Sequence, residues 1–128
     1  MFDVNSTDKN KTESGVWGDF GGGKFLIAHT SNLSFQREFN RLQQPYRKQI
    51  DRNRLDPKVS TEIMCKAMAK GLLLDWKGVG ESGKPIDYSE EMAAQVLIAN
   101  EDLREFVQDF ALNLDNFKQE VTEEAGKS

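Results

Sequence analysis

Cysteine, histidine and proline are scarce in this 128-residue chain, which holds one cysteine (Cys65), one histidine (His29) and three prolines. A single cysteine excludes an intramolecular disulfide, and beside one histidine it leaves too few ligands for a Cys/His zinc centre. Long apolar runs are missing as well. The longest, "FLIA" and "LLL", fall far short of the roughly 20 residues that span a bilayer. The opening "MFDVNSTDKNK" has neither a basic segment nor the apolar stretch of a secretory leader. The expectation is a cytosolic protein with no membrane partner, no metal and no cofactor. Cys65 sits within an apolar helical pattern, as buried and inert thiols do, and His29 closes "KFLIAH" as a strand-end surface residue. Neither lies in a turn signature of Ser/His/Asp or Cys/His catalysis.

Charge, by contrast, is abundant and unevenly placed. Net charge is −4, yet residues 35–58 carry seven basic against three acidic side chains and residues 87–128 carry three against eleven. A basic helix can serve nucleic acid, but Arg47, Arg52 and Arg54 are not interleaved with stacking aromatics, and a compensating acidic segment lies on the same chain. Solvated helix faces are therefore preferred over a nucleic-acid partner. A second consequence is that unlike ends of two copies can meet head to tail.

Residues 78–85, "GVGESGKP", come close to the phosphate-binding loop G-x-x-x-x-G-K-[ST]. That loop needs a buried strand before it, inward-facing amides, a Lys for the terminal phosphates and a hydroxyl for Mg²⁺. Gly78, Gly83 and Lys84 match, but the hydroxyl position is Pro85. Proline offers no oxygen and no N–H, and it biases Lys84 away from helical geometry. The residues upstream, "MCKAMAKGLLLDW", have helical rather than strand spacing. A tight turn is the preferred interpretation.

Along the chain, residues 1–15 are polar and aperiodic, the pattern of a disordered arm. "VWGDFGGGKFLIAHT" reads as two short strands joined by a Gly-rich turn. Phe35, Phe39, Leu42, Tyr46 and Ile50 then step 4, 3, 4 and 4 apart along one helical stripe behind a Ser34 cap, with a break expected at Pro45. Asp56 and Pro57 open a second helix that runs to about Leu74. Asp87 with Glu90, or Ser89, caps a short helix carrying Met92, Val96 and Leu97. The last helix has the cleanest apolar stripe, Leu103, Phe106, Val107, Phe110, Ala111, Leu114 and Phe117. The fold class is mainly α: a small domain of about four helices with an N-terminal β-hairpin and disordered termini. Its expected limits are an arm over 1–15, one domain over 16–119 and a flexible acidic tail over 120–128.

The order of these features resembles the tail assembly chaperones of long, flexible-tailed bacteriophages. The resemblance rests on a helix ending in Trp76-Lys77-Gly78-Val79, an acidic glycine-containing bend through Gly83, "GKPI" ending at Ile86, a Tyr88-Ser89 helix cap, and a closing Leu114, Asn116, Phe117 segment. It spans roughly residues 16–120. It implies a structural turn built from Trp76, Gly78, Val79, Gly83 and Pro85, with Trp76 and Ile86 pinning it to the core. It further implies binding rather than catalysis. Such chaperones keep the tape measure protein soluble, help recruit the major tail protein, self-associate weakly, work in the host cell cytoplasm and are absent from the mature virion. Two apolar stripes are candidates for the partner surface: Phe35, Phe39, Leu42 and Tyr46, and Phe106, Phe110, Leu114 and Phe117. The second is expected to be the more buried. A structural virion protein is the main alternative, ahead of a nucleotide-dependent enzyme and a DNA-binding helix module.

Overall fold

The computed structural model describes residues 7–118 together with Met1, Asp3 and Val4. Helices dominate, and the expected hairpin is present. β1 (Val16–Phe20) and β2 (Gly23–Ile27) pair antiparallel. Between them Gly21 and Gly22 both adopt positive φ (58° and 85°), as the mirror-image two-residue turn that suits the twist of a hairpin demands.

α2 (Leu33–Gln43) ends just before Pro45 in a 3-10 turn, Gln44–Tyr46, and the chain resumes as α3 (Arg47–Asp51). Proline lacks the N–H that would continue the ladder, so the break falls where expected. Its cap is Asn32, not Ser34: the Asn32 side chain accepts the Ser34 amide at 2.8 Å. α4 (Pro57–Gly71) starts as read, with Asp56 accepting the Lys58 amide at 2.9 Å.

The helix does not continue to Leu74. It stops at Gly71, and Leu73–Lys77 form β3, antiparallel to β2. "LLL" fits either period, and the deciding interaction is the strand at Phe25–Ile27, far away in sequence. The hairpin thus becomes a three-stranded sheet in the order β1-β2-β3. Its inner face carries Gly18, Phe25, Ile27, Leu73 and Trp76, all buried. The helix over Glu101–Leu112 packs across β1 and β2, and α4 contacts β3.

Beyond β3 the bend forms a miniature hairpin, β4 (Gly80–Glu81) and β5 (Lys84–Pro85), around Ser82 and Gly83 at φ 51° and 80°. α5 (Glu90–Ala99) is capped by Ser89, whose hydroxyl accepts the Met92 amide at 3.0 Å. α6 (Glu101–Leu112) follows directly, and the chain then tightens into a 3-10 turn, Leu114–Phe117.

The arm expected to be disordered over 1–15 contains a helix, α1 (Lys9–Ser14). Asp8 caps it, and the Asp8 amide donates to Phe117 O at 2.8 Å while Thr12 O accepts from the His29 amide at 3.0 Å. Tertiary hydrogen bonds hold a segment whose own composition would not. The expected acidic tail, 120–128, lies outside the described residues.

Candidate protein-binding groove

The turn that resembles a phosphate loop is one wall of a groove. Trp76 anchors it from beneath: its indole N–H donates to Ile86 O at 2.8 Å, and the Ile86 amide donates to Val79 O at 2.9 Å. Tyr88 stands edge-on to Trp76 (5.2 Å, 81°), and its hydroxyl donates to Leu73 O at 2.6 Å. Burial pushes that phenol up to about 12, with Glu90 and Asp75 adding repulsion against its anion. Lys84 is exposed at the hairpin tip, and the next helix begins only at Glu90. Lys84 therefore does not open a helix whose N-terminal amides could face a phosphate, as the phosphate loop requires.

The opposite wall is the β1–β2 turn. Phe20, 37% exposed, stacks on Phe106 at 4.8 Å, and Phe25 meets the same ring edge-on at 6.4 Å. α5 and the start of α6 close the third side with Met92, Val96 and Leu103. Together these line an open groove of about 640 Å³, in which apolar side chains stand beside the polar groups of Gln95, Asn100, Glu81 and the glycine backbone. Such a surface suits apolar side chains of another polypeptide, with methionine able to adapt to their shape.

The two stripes expected to bind partners are not brought together. Phe35, Phe39 and Leu42 lie half-buried along α2 where it packs on α4, the two rings 6.0 Å apart, and Tyr46 is half-buried in the 3-10 turn. Leu42 also lines a second, smaller groove of about 500 Å³ with Ala69, Ala94 and Ile98. Phe106 and Phe110 sit half-buried beneath the hairpin, Phe117 is fully buried, and only Leu114 is exposed, at 47%. The second stripe is therefore mostly core, and it meets the groove through Phe106, whose ring contacts Phe20 and Phe25. Of the turn residues, Gly78 and Val79 line the groove, Trp76 supports it, and Gly83 and Pro85 lie in the small hairpin beside it.

Phe20, Met92, Val96 and Leu103 were not singled out by sequence as a surface. The signal was there in α5: Ala93 and Leu97 face the core, Met92 and Val96 face the large groove, and Ala94 and Ile98 face the small one. A helix apolar on several sides is packed on several sides or has a partner.

Burial pushes the Cys65 thiol up, partly opposed by the nearby Arg104 guanidinium, and burial lowers His29, whose Nδ1 lies 2.8 Å from Ser31 Oγ. Among the described residues no group of His, Cys, Asp and Glu side chains is placed to share a metal ion, and no helix is long and apolar enough to cross a membrane.

The described residues form a mainly helical domain whose open groove is lined by Phe20, Val79, Met92, Val96 and Leu103. Its sequence matches the profile of the YdaY prophage protein family over residues 30–128. The chain belongs to that family and is of phage origin. No curated protein and no solved structure matches it.

Proposed function

We propose that this phage-derived chain is a tail assembly chaperone: a binding protein that holds apolar segments of the tape measure protein in the large groove and makes or breaks no bond. It keeps the tape measure soluble and brings it to the major tail protein in the host cell cytoplasm, and it leaves before the virion is complete. The observation that carries this proposal is the groove itself, whose wall is the Trp76–Ile86 turn on which the resemblance rests. Two or three Leu- or Phe-sized anchors from a partner helix would each contribute on the order of 1.5–3 kcal/mol on burial there, before the cost of association.

The test is co-expression with the tape measure protein of the same prophage. Its soluble fraction should rise with the wild-type chain, and Phe20→Asp with Ala99→Asp, both exposed in the groove, should cancel the rise while leaving the helical circular dichroism unchanged. A tape measure equally soluble with and without this chain refutes the proposal. The three-stranded sheet, with more strand than the sequence indicated, favours one alternative, a structural subunit of the virion. Mass spectrometry of purified particles decides between the two, because a structural subunit stays in the particle.

A further inference from the structure

We propose that copies of this chain associate head to tail, the basic tip around α3 of one copy seating against the acidic outer face of α6 in the next. The tip is the far end of the helical hairpin formed by α2 and α4. Over residues 44–58 it carries five basic side chains (Arg47, Lys48, Arg52, Arg54, Lys58) and two acidic ones, Asp51 and Asp56. All five basic residues are exposed. α6 presents the reverse. Glu101, Glu105 and Asp109 recur every four residues on the side opposite the buried Leu103, Val107 and Ala111, and Asp102 adds to the first turn. The one basic residue of α6, Arg104, does not neutralise this face: its guanidinium donates to Leu97 O at 3.2 Å and Ile98 O at 3.4 Å, at the end of α5.

Neither face forms an ion pair with another described residue. Among the described residues the ion pairs are Arg41–Glu38, Lys70–Glu90 and Lys118–Asp115, and none involves the tip or the α6 stripe. Packing also keeps the two faces apart, since α2 lies on α4, α4 on α5 and α5 on α6, while α3 packs chiefly on the 3-10 turn before it. Among the described residues these unlike charges do not meet within one copy, and a second copy can bring them together. Each face also offers an apolar centre. Leu112, 64% exposed, ends the acidic stripe, and the half-buried Tyr46 and Ile50 lie in the tip. A small apolar contact ringed by complementary charge gives selective, fast and salt-sensitive association. Because the two faces differ, the contact is heterologous and repeats into a ring or an open chain.

Light scattering with sedimentation equilibrium tests this without any tape measure protein, so its outcome is independent of the proposed chaperone role. At about 0.05 M salt the wild-type mass should exceed that of the 14.5 kDa monomer, and at about 1 M salt, where screening reaches down to ~3 Å, it should return to it. The variants R47E/R52E/R54E and E101K/E105K/D109K should each be monomeric at low salt. Mixed in equal amounts they should associate, because each supplies the face the other has lost. Should either triple variant lose its helical circular dichroism, R52E and E105K carry the test singly, each weakening association about threefold or more. A wild type that stays monomeric at low salt, association that survives high salt, or charge-reversed variants that still self-associate would each overturn the proposal.

Discussion

Replacing Gly71 by alanine sets two physical effects against each other with opposite signs. Gly71 is the buried last residue of α4. Helix propensity alone favours alanine by about 1 kcal/mol. A Cβ at this position, however, would lie 2.3 Å from Phe35 N, 2.5 Å from Phe35 Cα and 2.6 Å from Phe35 Cβ. Carbon atoms settle about 3.5–4.0 Å apart, so α2 would have to withdraw from α4 by about 1 Å. Two of the three atoms are backbone, so no rotamer change relieves the clash. α2 has no fully buried residue and is held to α4 through half-buried ones such as Phe35 and Phe39, so it would lift as a unit and lose part of that contact. Overpacking costs about 1–3 kcal/mol, here at the upper end. The net expectation is a destabilisation of about 2 kcal/mol, or a fall in Tm of roughly 5–10 °C for a chain of this size. Thermal and urea unfolding followed by circular dichroism measure it. Gly83→Ala is the control: nothing lies within 4 Å of its Cβ, and its φ of +80° gives a backbone strain of about 1 kcal/mol with α2 undisturbed. A G71A protein as stable as the wild type, or more so, would refute the close α2–α4 approach.

Three further outcomes follow from particular residues. Phe117→Ala should cost about 3–5 kcal/mol, because that ring is fully buried against Phe110 and His29, whereas Leu114→Ala, at an exposed position, should stay within about 0.5 kcal/mol; equal effects in urea titrations would contradict the assignment of core and surface. The Tyr88 phenol is held up to about 12 in the folded chain, against about 10 when unfolded. Between those values the unfolded chain loses a proton that the folded chain keeps, so stability is full below about pH 10 and falls as pH rises toward 12. Tyr88→Phe should flatten that decline in thermal unfolding scans, and an unchanged slope would place the titration elsewhere. Calorimetry of the wild type with ATP or GTP and Mg²⁺ should give no binding heat, and Lys84→Ala, at an exposed hairpin tip, should change nothing; binding heat that the substitution abolishes would restore the phosphate-loop interpretation.

Where local chemistry decides the structure, the sequence was legible. Pro45 breaks α2, Asp56 and Pro57 open α4, Ser89 caps α5, and the periodic stripe of Leu103, Val107 and Ala111 becomes the buried face of α6. Where distant segments decide, it was not. β3 passed for the end of a helix because Leu72, Leu73 and Leu74 satisfy both periods until β2 is alongside. α1 is six polar-rich residues held by contacts to Phe117, Lys118 and His29, none of which is near in sequence. The extended apolar stripe divided at Leu112, where α6 ends and Leu114 turns outward while Phe117 turns in. The groove was hidden for the same reason. Phe20, Val79 and Val96 come from a hairpin turn, a bend and a helix, and only the fold makes them one surface. The turn was read as a structural element, and in the fold Trp76 donates to Ile86 O across it; that it also walls the groove needed the positions of β1 and α5.

Site-specific photo-cross-linking addresses the groove most directly. A benzophenone side chain in place of Val96, within the groove, should cross-link to the tape measure protein when the two are co-expressed, and the same group in place of Glu62, exposed on α4 outside it, should not. A tape measure adduct from position 62 alone, or from neither position, would contradict the proposal that this groove holds the partner.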